Sequence, residues 1–227
     1  MQKNYLTFVR NIILVCNMTK SNAKTEKAGV SREKILDAAA TQFRKYGYAA
    51  VSLRAIASAS GMKAGSLYYH FASKEEIVVE VLNLGIDMVQ RKVEKSTRAL
   101  PVTVGASQLV RTGIISHFQA LFQFSAYTSA NVRIYSQVPE SVRMSNLFAR
   151  RRYETLWEHI LERAIRTGEV RSSVNLKAYR LLLIGSINAT LEWFKPDHGD
   201  VNELANDYAD ILLNGLIESS EGHHESA

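Results

Sequence analysis

Cysteine occurs once among the 227 residues, at Cys16, which excludes an internal disulfide and fits a reducing compartment such as the cytoplasm. Proline occurs three times and glycine twelve times, and no segment sustains the two-residue alternation of a half-buried strand. Few breakers and no alternation predict an all-α fold made of long helices. No apolar run approaches the roughly eighteen residues that a membrane span needs, so no membrane partner is expected. The constellations of catalysis are missing too. No nucleophile–base pair, glycine-rich phosphate loop or His/Cys/Asp/Glu set at metal-ligand spacing stands out. The paired His223 and His224 lie in a polar tail. Enzymatic activity, a resident metal and a cofactor are therefore not expected.

Apolar residues make up 46% of the chain, enough for a sizeable core. Charge is unevenly spread. Residues 1–74 carry twelve Lys/Arg against three Asp/Glu, whereas residues 75–227 carry sixteen against nineteen. The positive excess is confined to the first third, as expected of a nucleic-acid-binding head on a near-neutral body. A basic tail beside an ordinary domain would give the same asymmetry.

Residues 1–30 read in two ways. Arg10 and Asn11 interrupt the apolar stretch before Ile12 and no small-residue cleavage site follows, so the segment makes a poor signal peptide. It is either a flexible basic arm that touches phosphates or the product of an over-called start, with translation beginning at Met18. The head follows at 31–73. Ser31 is placed to cap a helix carrying Ile35, Leu36, Ala39, Phe43 and Tyr46 on one face, with Gly47 at its end. Ser52 caps a second helix stopped by Gly61, and a third runs from about Lys63 to His70. Val30 with Ile35, and Val51 with Ile56, have the spacing of hydrophobic staples. Ser73-Lys74-Glu75-Glu76 reads as a capping box opening a fourth helix.

The stretch from Ser52 to His70 has the organisation of a helix-turn-helix. Ala55, Ile56, Ala57 and Ala59 let its two helices approach closely, and Leu67 and Phe71 fall inward. Lys63, Ala64, Gly65, Ser66, Tyr69 and His70 are left facing outward. Gly65 weakens an isolated helix by up to roughly 1 kcal/mol, which a purely structural helix has little reason to accept. Tyr68 fits either face, with core packing favoured.

Ser52-Leu53-Arg54-Ala55-Ile56-Ala57, then Gly61 to Phe71, then Ser73-Lys74-Glu75, resembles the DNA-binding signature of tetracycline-repressor (TetR) family regulators. The likeness is close over about residues 31–80 and looser over the helical remainder. It implies roles that the side-chain chemistry supports. Ser52 and Arg54, at the start of the second helix, would hold a phosphate. Lys63 and Ser66 would lie near base edges, with Ala64 and Gly65 allowing close approach. Tyr69 and His70 match positions that contact phosphate, and Lys74 adds a cation at a helix N-terminus. Solvated charges at Lys63 and Lys74, and a merely hydrogen-bonded His70, are the plainer alternatives. One departure is that Lys63 stands where many relatives carry a capping serine or threonine.

Residues 74–219 read as a helical effector-binding and dimerisation body, followed by a disordered tail at 220–227. Helices are expected from Lys74 to about Arg98, from about Ala106, over Val132–Gln137, from about Ser141 to Thr167, from Leu176 to Phe194 and from Val201 to Leu216. The penultimate helix is apolar nearly all round through Leu181, Leu182, Leu183 and Ile184. Leu182 and Leu183, with Leu204, Tyr208, Ile211 and Leu212 of the last helix, are the candidate homodimer interface in the resembled family's four-helix mode. An internally buried helix in a monomer is the alternative. Two-fold symmetry would set the reading helices one DNA turn apart, on a roughly palindromic operator.

Phe118, Phe122, Tyr153, Trp157, Asn188 and Glu192 are candidates for an effector pocket that mixes aromatic surface with a few polar groups. Gly185 to Pro196 resembles the corresponding helix of relatives that regulate fatty-acid, aromatic or steroid catabolism, several of which answer to acyl-CoA thioesters. On that resemblance Arg150-Arg151-Arg152 would receive CoA phosphates, although a solvated basic turn fits equally. The function expected is a repressor of double-stranded operator DNA, released by a small apolar, aromatic or acyl-CoA-type molecule. An activator, or a regulator without an effector, fits the same residues. A helical interaction protein leaves the outward Lys63–Ser66 unexplained.

Overall fold

The computed structural model describes residues 29–169 and 173–214. All regular structure among them is helical: α1 at 29–50, α2 Leu53–Ala59, α3 Ala64–His70, α4 Lys74–Arg98, α5 Ala106–Gln123, α6 Ser125–Ile134, α7 Glu140–Arg166, α8 Leu176–Trp193 and α9 Val201–Asn214. The alternatives for residues 1–28, the end of α9 at Leu216 and the tail with His223 and His224 lie outside the described residues.

Local chemistry sets most boundaries. Ser52 Oγ accepts from Ala55 N at 3.1 Å and Ser73 Oγ from Glu76 N at 3.1 Å, so α2 and α4 start on capped turns. The Glu76 carboxylate reaches back to Ala72 N at 2.7 Å, closing a reciprocal cap one residue before Ser73. Gly61, at φ +69, turns the chain between α2 and α3 in a conformation that disfavours side chains. The N-cap of α5 is Gly105, which has no side chain to cap the helix. Glu169, just beyond the C-terminus of α7, supplies the cap instead, accepting from Ala106 N at 2.8 Å and Ser107 N at 3.0 Å.

Three expectations need correcting. Ser31 is not a cap, because α1 is already helical from residue 29. Gly47 takes the left-handed φ of +79, yet the helical run continues through Tyr48 to residue 50. The piece expected at Val132–Gln137 is in fact α6, which starts seven residues earlier. It is separated from α5 only by Phe124 at φ −108, ψ 33, with neither glycine nor proline to signal the break.

The chain builds two cores, and α4 serves both. Its first half sends Ile77, Val78, Val81 and Leu82 into a core with Ile35, Phe43, Ile56, Leu67 and Phe71 of the head. Its second half sends Val89 and Val93 into the body core with residues of α5, α7, α8 and α9. The head core is also closed by Tyr127, Ala130 and Ile134 of α6 and Val142 of α7. Gly85 marks the crossover, where a Cβ would lie 2.9 Å from Tyr127 O, so α4 and α6 cross there almost backbone to backbone.

Candidate nucleic-acid interface and internal cavity

α3 is seven residues long and buries Leu67 completely, with Phe71 beyond its end. Those two anchors fix its rotation, because residues four apart share a face. Lys63, Gly65, Ser66 and Tyr69 are exposed as a result, Tyr69 to 76%, while Ala64 and His70 are half-buried. Tyr69 and His70 rings meet edge to face at 5.3 Å. Lys63 occupies the N-cap with no side-chain cap bond, so its ammonium is not committed to its own helix. Arg54 is exposed on α2, and the Ser52 oxygen is used as a cap while its hydroxyl hydrogen can still donate outward.

Tyr68 corrects an expectation. It is 59% exposed rather than packed in the core, because a step of one residue from Leu67 rotates it about 100° away from the buried face. It widens the aromatic surface of α3, and strict three- and four-residue counting from Leu67 identifies it. Lys74 differs in another way. Its Nζ donates to Tyr48 O at 2.6 Å and sits 4.0 Å from the Tyr48 ring centroid. Burial lowers its pKa. Tyr48 in turn donates to Glu75 at 2.8 Å, and burial with that carboxylate pushes its phenol up to about 12. Lys74 is thus tied to the junction of α1 and α4, whereas the other basic groups of the face are open.

A cavity of about 90 Å³ lies between α4, α5, α6, α7 and α8. Two predicted residues line it, Tyr153 and Asn188. The Tyr153 hydroxyl and His117 Nδ1 are 2.8 Å apart, and both residues are buried. Burial holds the His117 imidazole neutral by lowering its pKa to about 4, an effect that a hydrogen bond with Asn188 opposes. The other candidates lie elsewhere. Phe118 is in the body core, edge to face with Tyr208 at 4.9 Å, because α9 packs across α5. Phe122 packs on Phe194 at 5.4 Å. Trp157 is fully buried against Gly113, and Glu192 is exposed on the outer side of α8.

Sequence reasoning missed part of the polar side of this cavity. Arg150 enters it only as one of an arginine run, and Thr128 and Asn131 of α6 and Glu154 of α7, which line the cavity with it, do not enter at all. Arg150, Arg151 and Arg152 do not act as a cluster, since successive helical residues point about 100° apart. Arg150 faces the cavity, Arg151 is exposed, and Arg152 pairs with Asp87 and donates to Gln90. Among the described residues no group of His, Cys, Asp and Glu could hold a metal, and no helix is long and apolar enough to cross a membrane.

The predicted dimer residues also separate. Leu182 is 59% and Ile211 69% exposed, while Leu204 and Tyr208 are half-buried against the body core. Leu183 and Leu212 are buried inside the protomer and cannot meet a partner. Leu183 faces α5 and α7 because α8 turns its Leu181, Leu182, Gly185 and Ala189 side outward, and Leu212 of α9 packs into the body core.

Comparison with known proteins places these features in a family. Residues 35–81 match the model for bacterial regulatory proteins of the tetR family, and residues 105–216 match a tetracyclin repressor-like C-terminal domain. The HTH-type transcriptional repressor KstR2 of Rhodococcus jostii is 30% identical over 192 residues, 82% of this chain and 90% of that protein. The crystal structure of the TetR family transcriptional regulator PfmR from Thermus thermophilus superposes with a TM-score of 0.71 at 26% identity, over 83% of this chain and 98% of that one. FadR from Bacillus subtilis, solved in complex with stearoyl-CoA, has the same fold, with a TM-score of 0.69 at 22% identity over 81% and 98% of the two chains.

Proposed function

Because the chain belongs to the tetracycline-repressor family, we propose that it is a transcriptional repressor that holds operator DNA with α2 and α3 and releases it when an acyl-CoA-type molecule occupies the α4–α8 cavity. The observation that carries the DNA-binding half is the open face of α3. Lys63, Gly65, Ser66, Tyr68 and Tyr69 are exposed on a helix whose other side is locked by Leu67. In this reading Lys63 and Ser66 approach base edges in the major groove, and Ser52, Arg54, Tyr69 and His70 hold phosphates on either side. Lys74 supports the junction behind them. The work is binding rather than catalysis, and it takes place in the cytoplasm with the chromosome.

The effector half rests on linkage. A cavity of about 90 Å³ is well below the roughly 300–1,000 Å³ of ordinary ligand pockets. A ligand of ordinary size that is to be enclosed here, rather than to extend through the open side, therefore has to push the surrounding helices apart. Three of them, α4, α6 and the start of α7, also close the head core. Filling the cavity and keeping the head in its present place compete, and a ligand that binds one arrangement better shifts the other. Stearoyl-CoA, the ligand in the B. subtilis FadR structure, sets the chemical class to try first. Pairing of two protomers through the outer face of α8 would present two α3 helices to a palindromic site.

Genomic fragments retained by the full chain test this reading. The expected result is a shared, roughly two-fold symmetric site, with affinity falling about 5–150-fold on addition of long-chain acyl-CoA. Retained fragments without a common site overturn the DNA-binding half. Unchanged operator affinity across a chain-length series of thioesters overturns the effector half.

A further inference from the structure

We propose that Arg150 is the receptor for a negatively charged group of the effector, a carboxylate or a phosphate; this rests on the α4–α8 cavity being the effector site. The side chain lines the cavity, yet it forms no ion pair among the described residues. Its neighbours are served differently. Arg152 meets Asp87, and Arg180 lies 3.1 Å from Glu154 and 3.5 Å from Glu158. Glu154 is the acid that shares the cavity with Arg150, and Arg180 has already engaged it.

What holds Arg150 is a set of neutral groups. Nε donates to Asn146 Oδ1 and Nη2 to Asn131 Oδ1, both at 2.9 Å, and the guanidinium lies 3.4 Å from the Tyr135 ring centroid. The two amides cannot turn away. Asn131 Nδ2 donates to Leu82 O at 2.7 Å, and Asn146 Nδ2 to Asn83 Oδ1 at 2.8 Å. Each amide is thus fixed with its oxygen toward Arg150. Two of the five guanidinium N–H groups are used in this way, and three remain.

Glu154 acts on Arg150 only from beyond ion-pair distance and is itself bonded to Arg180, so this partly buried cation loses hydration that its dipolar partners replace only in part. A carboxylate or phosphate reaching it from the cavity would restore the missing charge through two parallel N–H···O bonds, the geometry for which guanidinium is suited. The pinned amides orient the fork in advance, so little further ordering accompanies binding.

Calorimetric titration of the full chain with lauroyl-CoA, dodecanoate and 1-dodecanol tests the assignment. The wild type is expected to bind at least one anionic probe about 10-fold or more tightly than the alcohol. Arg150→Gln is expected to lose that preference while keeping its alcohol affinity within about 3-fold. Arg150→Lys retains the charge and is expected to keep most of the preference, which separates anion binding from a folding defect. Preference for dodecanoate identifies a carboxylate at Arg150; preference confined to lauroyl-CoA identifies a phosphate. The proposal is overturned by a wild type that binds neither anion better than the alcohol, or by an undiminished preference in Arg150→Gln. The functional reading fails separately, when operator DNA stays bound although lauroyl-CoA occupies the protein.

Discussion

The Tyr127 hydroxyl donates to Asp37 Oδ1 at 2.6 Å, joining α6 of the body to α1 of the head. The same helix makes further attachments: Arg133 donates to Arg44 O at 3.1 Å, and beyond its end Gln137 Oε1 accepts from Tyr48 N at 3.0 Å. Thr128 and Asn131, on the same ten-residue helix, line the cavity. One short element therefore touches both the ligand space and the DNA-binding head. α4 is the obvious connector because the chain runs through it, but α6 fastens the head from the side.

Tyr127→Phe removes the donor and leaves the Asp37 carboxylate without it. Burial raises the pKa of this phenol, as does the hydrogen bond with Asp37, so it is a proton donor at any working pH. The expected loss is about 0.5–1.5 kcal/mol of stability in urea titration. A larger effect is expected on coupling, because the head is then freed on one side. Ligand should release operator from the variant less efficiently than from wild type. Identical release curves would show that α6 carries no coupling through this bond.

Glu169 provides a pH signature. Its carboxylate accepts from Ser107 N and Ala106 N at the start of α5, and these bonds lower its pKa below the ordinary 4.5. A depressed pKa in the folded state contributes stability above the unfolded value, and that stability is lost as pH falls through the folded value. The cap should therefore act fully at neutral pH and fade on acidification below about pH 4.5. Glu169→Gln is expected to cost about 1 kcal/mol at pH 7 and progressively less in acid. Parallel melting curves for the two proteins from pH 7 to pH 3.5, with a constant gap between them, would contradict the assignment.

Much of this arrangement was legible in the sequence, for reasons that differ by element. α4 was readable end to end because Ser73 caps it, its apolar residues keep one face, and Pro101 follows. The outward side of α3 was readable because Leu67 and Phe71 fix its rotation. The α5–α6 break was not, since Phe124 turns the chain through tertiary packing rather than through any breaker. The cavity was readable only in part. Tyr153 looks no different in sequence from Phe118 and Trp157, yet Phe118 is covered by Tyr208 of α9 and Trp157 by Gly113 of α5, which leaves Tyr153 to meet the open space. Asn146 and Arg150 stand four apart on α7, a pairing that helical spacing allows, but Asn131 joins them from α6 and no periodicity announces that contact.

Gly85→Ala probes the crossover between the two cores. Its Cβ would stand 2.9 Å from the Tyr127 carbonyl oxygen and 3.3 Å from the carbonyl carbon. Backbone cannot rotate aside as a side chain can, so α4 and α6 must separate. Overpacking of this kind typically costs about 1–3 kcal/mol, against a helix-propensity gain of up to about 1 kcal/mol. A net loss of stability is expected by thermal melting. Separation of these helices is also what enclosing a ligand requires, so operator affinity should fall without any ligand. A more stable variant with normal operator affinity would mean that the two helices have room to spare.

Lys63→Ala and Ser66→Ala separate reading from docking on α3. Lys63 has no cap bond to lose, so its removal should leave stability within about 0.5 kcal/mol. If it reaches a base edge, operator affinity falls by about 1–3 kcal/mol and discrimination at one base pair relaxes. If it contacts only phosphate, affinity falls for all sequences and the salt slope shrinks by about one ion. Anisotropy titrations on operator and scrambled duplexes at several salt concentrations distinguish the two. An unchanged affinity on both duplexes would remove Lys63 from the interface.

The outer face of α8 gives the last test. Leu181 and Leu182 are 56% and 59% exposed, and Gly185 and Ala189 continue the same side along the helix. Small residues beyond large ones let a second helix approach closely, and no Cβ at Gly185 would meet any atom within 4 Å of its own protomer. Ile211 of α9, 69% exposed, extends the apolar surface. Leu181→Glu combined with Leu182→Glu puts two charges where a partner would bury apolar groups, yet it disturbs nothing inside the protomer because Leu183 faces the core. Light scattering is expected to show the mass of one chain for the variant and of two for the wild type. Operator binding should weaken more than any α3 substitution weakens it, since a monomer can hold a single half-site at a time. A variant that scatters as the wild type does would move the interface to another face, and the case for a palindromic operator would then need a different pairing of α3 helices.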